Sequence, residues 1–427
     1  MNSEQFVVLG LARPRTPWFA DVGQWATSAE LPIEFVRCVS ADEIRARIGS
    51  GRSYSALLLD EDSPGVDRDL LALAAESGCA SFIVVGPNPR RRWIQIGAVG
   101  VLERPLTPDA LHAALRTRAR SVERVDDLAF RDRAGSISPL SGRLITVVGP
   151  GGSGTSTIAM AIAQGAATDP RNGGSVALID ACLNSSLALL HDLGDVVPGL
   201  PELVEAHRVA SLDPNAVRNG LWVCAERGYD LLAGVRRHRD WTSLRPRATE
   251  SAVRSLRQTY ALVVADTDSE FEGERETGSL DIEDRNHLAR HLAFSADLIV
   301  VTGRTDINGF SRMLRLAADL LDHGVEPERI QPVVIGTSRN PHLARELRRS
   351  LHDLLSTMSP DSETQPALLI PTSREISSIR HDGSALPNRL VAPLTSRIRS
   401  SLANVPIKRA AAAEPIRIPT TRLGRVS

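Results

Sequence analysis

The residues best suited to chemistry stand in one short run, Gly149-Pro150-Gly151-Gly152-Ser153-Gly154-Thr155-Ser156-Thr157. Gly149 and Gly154 bracket four residues, and Thr155-Ser156 follow at once. An apolar run, 144–148, leads in, and a helical run, 158–164, leads out. That is the spacing of a phosphate-binding loop in its strand–loop–helix setting. Glycine lets backbone amides turn inward around an anion. The helix that starts there adds the positive end of its dipole. Gly149, Gly151, Gly152, Ser153, Gly154, Thr155, Ser156 and Thr157 are therefore the candidate binding residues for ATP or ADP, with Ser156 placed as the hydroxyl that binds Mg2+. The lysine expected after the last glycine is Thr155 instead. Phosphoryl transfer depends on charge stabilisation and positioning. Its loss predicts weak or absent hydrolysis, while backbone amides and Mg2+ still hold a nucleotide. The competing reading is a glycine-rich turn with no ligand.

Carboxylates come next. Asp180 closes the apolar run SVALID, and Asp266 closes ALVVAD. Asp266 is the candidate Mg2+ ligand beside Ser156, directly or through water, and Asp268 is a weaker companion. Asp180 is a weak candidate for catalysis, since a strand-ending aspartate also caps the helix or turn that follows. The acidic segment 267–294 reads as an insertion or mobile loop whose carboxylates are a solvated face. His287 and His291 are an i, i+4 pair without an HExxH context, and read as a surface pair rather than a zinc site. The basic runs RRHRDW (236–241) and RELRRS (345–350) read as solvated faces rather than DNA contacts.

These residues need elements to position them. Apolar runs at 6–11, 56–60, 82–86 and 99–103 read as buried strands, with amphipathic helical patterns between them. A second series follows at 144–149, 175–180, 221–225, 261–266, 297–303, 331–336 and 366–371. Alternation of strand and helix predicts two parallel sheets covered on both faces. The expected class is α/β, with a flavodoxin-like N-terminal domain over 1–122 and a doubly wound, mainly parallel sheet over 143–402. Residues 123–142, charged and then small and Pro/Gly-rich, read as a linker. Residues 403–427 read as a disordered tail.

Bulk composition excludes little else. With 427 residues the chain is long enough for two or three domains. Hydrophobic residues make up 42% and charged residues 24%, in the range of a globular protein. A net charge of −1 gives no global pull toward nucleic acid or membrane. Cys38, Cys79, Cys182 and Cys224 have no metal spacing and suit a reducing, cytoplasmic setting. No run approaches the apolar length of a spanning helix. Pro406, Pro415 and Pro419 oppose an amphipathic tail helix, so membrane contact finds weak support.

The order of motifs from 143 to 402 resembles the MinD/ParA group of phosphate-loop ATPases. SVALIDACLNSSLALLHDLG is similar to that family's second motif, YALVVADTDSEFEG to its switch II strand, and PALLIPTSREISSIRHDGSAL to the late segment near the adenine. The resemblance implies a second lysine before the paired glycines, and that position is Pro150. The family's second acidic residue is Cys182 here. In the N-terminal domain, GAVGVLERPLTPDAL resembles the closing segment of response-regulator receivers, with Arg104-Pro105 where a Lys-Pro pair belongs. Asp60 takes the phosphoacceptor position, but the first strand lacks the acidic pair that binds Mg2+. That implies a pseudo-receiver that docks rather than signals. The combination is similar to CpaE/TadZ proteins of Tad/Flp pilus and secretion systems and to actinobacterial septum-site proteins of that type. The resemblance implies a homodimer with protein partners, recruited to the pole or septum. A cycling MinD/ParA-type ATPase of division or partitioning is the alternative.

Overall fold

The computed structural model describes residues 6–119, 142–358, 365–372, 375 and 382–404, apart from positions 14, 15, 29, 30, 50–52, 90, 195 and 196. The N-terminal sheet is built from β1 (Phe6–Leu11), α1 (Pro17–Thr27), β2 (Ile33–Cys38), α2 (Ala41–Gly49), β3 (Ala56–Asp60), α3 (Arg68–Glu76), β4 (Ala80–Val85), β5 (Gly100–Glu103) and α4 (Pro108–Arg118). Its strands run β2-β1-β3-β4-β5, all parallel. β1, β3 and β4 are buried along their whole length, as strands covered on both faces must be. Between β4 and β5 the chain makes only a 3-10 turn, Trp93–Ile96. The Asp67 side chain accepts from Leu70 N to start α3, and Thr107 accepts from Ala110 N to start α4.

The second sheet follows with β6 (Arg143–Val148), α5 (Thr155–Ala167), β7 (Val176–Ala181), α6 (Leu187–Leu190), α7 (Leu200–Val209), α8 (Pro214–Arg218), β8 (Trp222–Cys224), β9 (Tyr229–Leu232), α9 (Pro246–Thr259) and β10 (Leu262–Thr267). Then come α10 (Glu274–Thr277), α11 (Leu280–Ser295), β11 (Leu298–Arg304), α12 (Ile307–Asp322), β12 (Ile330–Thr337), α13 (Pro341–Met358), β13 (Leu368–Pro371) and α14 (Asn388–Asn404). The strand order is β13-β12-β11-β6-β10-β7-β9-β8, and only β8 runs antiparallel, against β9. The fold is thus the expected pair of α/β units, a flavodoxin-like sheet and a doubly wound, mainly parallel one.

Several expectations change. The segment 267–294 is mostly helix, in α10 and α11, rather than a loop. Phe271, Leu288, Ala289, Leu292 and Ala293 bury its apolar residues in the main core, which offsets the charge of its outer face. His287 and His291 lie stacked and partly buried on α11, with His287 facing Glu250 of α9, so the pair is less superficial than expected. β9 fell outside the apolar runs, because Tyr229-Asp230-Leu231-Leu232 is short and takes its place by pairing with β7. The stretch 123–141 and the tail from 405 lie outside the described residues. No helix of the described residues is long and apolar enough to cross a membrane.

The two sheets meet through α3. Arg208 of α7 bonds Asp67 at 2.9 Å, Arg68 Nε donates to His207 O at 2.8 Å, and Arg247 N at the start of α9 donates to Asp69 at 3.1 Å. Arg247 also pairs with Glu76.

Candidate functional site

β6 is the central strand, flanked by β11 and β10, where the chain switches from one side of the sheet to the other. The crevice at the carboxyl ends of strands beside such a switch point is where open α/β sheets take ligands. The glycine loop leaves β6 at that point and enters α5, whose residues Ile158 to Ala163 are all buried. Gly152 and Gly154 each have φ of 79°, the left-handed region that glycine enters without strain. A side chain at Gly149 would run into the hydroxyls of Thr302, Ser153 and Thr155. At Gly151 and Gly152 nothing lies within 4 Å of the point a Cβ would occupy, so the outer arm of the loop faces open space.

Inside the loop, three hydroxyls come together. Ser153 Oγ lies 2.7 Å from Thr302 Oγ1 and 2.9 Å from Thr155 Oγ1, and Thr155 Oγ1 lies 2.9 Å from Thr302 Oγ1. Thr155, in the lysine position, is thus turned toward β11. Thr302 was not singled out in the sequence; its one signal was a hydroxyl in the apolar strand LIVVTG. The chain holds a single lysine, Lys408, outside the described residues. The missing loop lysines therefore match a chain-wide bias, yet arginine has not replaced them at Pro150 or Thr155.

The strand-end aspartates are brought together. Asp266 and Asp180 are direct partners in the β10–β7 register. Their surroundings differ. Asp180 Oδ2 accepts from Ser185 Oγ at 2.6 Å, Ser186 N at 3.0 Å and Leu187 N at 2.7 Å, which caps the short α6. Burial raises its pKa, and these bonds oppose the rise. Asp268 Oδ2 is engaged with Leu183 N at 2.7 Å. Asp266 is 1% exposed, and neither of its oxygens has a hydrogen bond of ordinary geometry. Burial above all, then Asp180, push its carboxyl up to about 8; Asp268 adds to this, and the nearby Ser156 hydroxyl opposes it. A buried carboxylate without a positive partner calls for a proton or a cation. Among the described residues no three His, Cys, Asp or Glu form a ready-made metal cage. A cation at Asp266 and Ser156 would need oxygens from a ligand or water, which is how Mg2+ commonly binds.

At the carboxyl ends of β11, β12 and β13 lies an open cavity of about 520 Å3 lined by Thr305, Gly336, Thr337, Ser338, Arg339, Leu343, Ala344, Leu347 and Thr372. Ile335, the residue before Gly336, packs against Gly154 of the loop. Its mix of hydroxyls, one arginine and an apolar wall suits a flat polar ring.

The N-terminal aspartate has a different fate. Asp60 sits at the end of β3, 2% exposed. Its Oδ2 accepts from Arg104 Nη2 at 2.6 Å and from Trp18 Nε1 at 3.0 Å, and its Oδ1 accepts from Asp62 N at 3.0 Å. The Arg104–Pro105 peptide is cis. Trp18 went unnoticed in the sequence, since an indole on a helix gives no hint that its N–H will reach a strand end.

No family model matches the chain, and neither does any curated protein. Solved structures similar to it include the ParA family ATPase from Chlorobium tepidum, at 14% identity over 62% of this chain and 100% of that one, with a TM-score of 0.45. The cell division ATPase MinD of Pyrococcus furiosus is 15% identical over 61% of this chain and 99% of its own, with a TM-score of 0.43. The septum site-determining protein MinD of Pyrococcus horikoshii, complexed with Mg-ADP, is 14% identical over 61% and 94%, with a TM-score of 0.42.

Proposed function

We propose that residues 143–402 bind ATP or ADP with Mg2+ and that the protein works as a nucleotide-dependent localisation or assembly factor with weak or absent hydrolysis. The observation that carries this reading is the buried Asp266, which lacks a charged partner and has only the Ser156 hydroxyl beside it, at the foot of an open glycine loop. Loop amides at Gly151, Gly152 and Ser153 and the α5 N-terminus would hold phosphate. Ser156 and Asp266 would hold Mg2+, which supplies positive charge to the phosphate oxygens when bound. Thr155 and Pro150 supply none, so charge development during phosphoryl transfer goes largely uncompensated. Residues 1–122 are the docking module, since Asp60 is committed to Arg104 and Trp18. The motif order favours a CpaE/TadZ-like role with a pilus or secretion machine or in septum placement. It acts as a homodimer in the cytoplasm, recruited to the pole or septum, through protein contacts rather than DNA.

Calorimetry with Mg-ADP and Mg-ATP, followed by steady-state hydrolysis, tests this. Binding without turnover is expected for the natural chain, and no binding for Gly154→Arg, which blocks the loop. Turnover at the rate of cycling partition ATPases would replace this reading with the active-ATPase one. No binding at millimolar nucleotide would remove both.

A further inference from the structure

The three hydroxyls in the glycine loop form a closed set. Each lies within hydrogen-bond distance of the other two, at 2.7 to 2.9 Å. A hydroxyl carries one donor and two acceptor lone pairs, so when Thr302 Oγ1 donates to the carbonyl of Val148, the Ser153 and Thr155 protons make the links within the set. Thr302 is fully buried and Ser153 is 3% exposed, so water is kept from the bond between them, while Thr155 is part-buried. Thr302 Oγ1 also reaches Val148 O at 3.3 Å, on the last residue of β6. The set therefore ties the inner arm of the loop, at 153 and at 155, to two neighbouring strands. Gly149 lies directly beneath it, where any Cβ would strike all three oxygens.

We propose that Ser153, Thr155 and Thr302 act as a hydroxyl clasp that holds the glycine loop in its curved form without a lysine, with Thr302 as the positioning residue. The clasp takes over the shaping role of the missing side chain and none of its charge. A loop already curved loses less freedom when its amides close on an anion, so the clasp favours binding and leaves hydrolysis unaided. This deepens the nucleotide reading above and rests on it only for affinity; loop order is measured without ligand.

Thr302→Val keeps the shape and removes the hydroxyl, whereas Thr302→Ser keeps the hydroxyl. Amide hydrogen exchange over 151–155 is measured on the full chain without nucleotide, with attention to Ser153 N, which donates to Pro150 O at 3.0 Å. Exchange about tenfold faster is expected for Thr302→Val, with amides of β7 and β10 unchanged and Thr302→Ser close to the natural chain. Affinity for Mg-ADP should fall about fivefold in Thr302→Val and recover in Thr302→Ser. Should Thr302→Val fail to fold, Ser153→Ala breaks the same set and is expected to loosen the same amides. Exchange as slow as in the natural chain, or Thr302→Ser as loose as Thr302→Val, overturns the clasp. A looser loop in a protein that binds no nucleotide upholds the clasp and removes the nucleotide reading. Nucleotide binding with an unchanged loop does the reverse.

Discussion

Asp60 and Asp266 are both buried aspartates at the carboxyl ends of parallel strands, and their surroundings are opposite. Asp60 has a guanidinium, an indole N–H and a backbone amide on its two oxygens. Asp266 has no ordinary hydrogen bond on either. The first carboxylate has been absorbed into the architecture of its domain. The second carries an unmet electrostatic demand, which is costly to maintain. Burial at a strand end thus has two outcomes: at β3 partners close around the carboxylate, and at β10 the carboxylate has no charged partner.

Three changes would sharpen that contrast, the largest first. Asp60→Ala strands the part-buried Arg104 and the Trp18 N–H, and should destabilise the N-terminal domain by about 3 kcal/mol in urea unfolding. A loss under about 1 kcal/mol would mean that Arg104 simply turns to solvent. The same enclosure predicts that acetyl phosphate leaves Asp60 unlabelled, read by mass spectrometry.

Asp266 should have its effect through pH. An unfolded aspartate ionises near 3.9, whereas burial and Asp180 hold the folded Asp266 up to about 8. Between those values the folded state keeps a proton that the unfolded state has released. Its contribution to stability is therefore full below about pH 4, falls as pH rises, and levels off above about 8. The loss is on the order of 2–3 kcal/mol once relaxation around the carboxylate is allowed for. Denaturant midpoints across this range should slope for the natural chain and flatten for Asp266→Asn. Adding Mg2+ with ADP at pH 8 should recover part of the loss in the natural chain alone.

The smallest effect concerns the contact between the domains. Asp67 is shared by Arg45 at 3.1 Å and Arg208 at 2.9 Å. Arg208→Ala leaves Arg45 in place, so about 1 kcal/mol should be lost. Proteolysis near residues 120–141 should quicken if α3 then leaves α7. A loss of several kcal/mol would show that the two domains fold as one unit.

Much of the fold was legible in the sequence. Strand runs such as FVVLGL, ALLLD and ALVVAD read correctly because strands buried on both faces must be continuously apolar. The glycine loop was legible because its spacing is a local backbone requirement. Less visible were α9, whose buried face is mostly Ala, Ser and Thr, α11, whose charged residues mask the apolar stripe, and β9, which has no local pattern of its own. The tie between Asp180 and α6 was weighed in the sequence as a cap; the choice between capping and catalysis needed the positions of Ser185, Ser186 and Leu187.

The sequence by itself determined that a glycine loop follows β6 without a lysine, that aspartates lie at the carboxyl ends of β3, β7 and β10, and that two alternating α/β series carry them. These are local matters of residue type, spacing and hydrophobic period. The tertiary structure decided what surrounds each aspartate. Trp18 and Arg104 reach Asp60 from 42 and 44 residues away, and Thr302 reaches Ser153 from 149. No spacing rule spans such distances, because partners across a parallel sheet are chosen by strand order and register. The same register leaves Asp266 without a positive partner beside a glycine loop in which three hydroxyls meet.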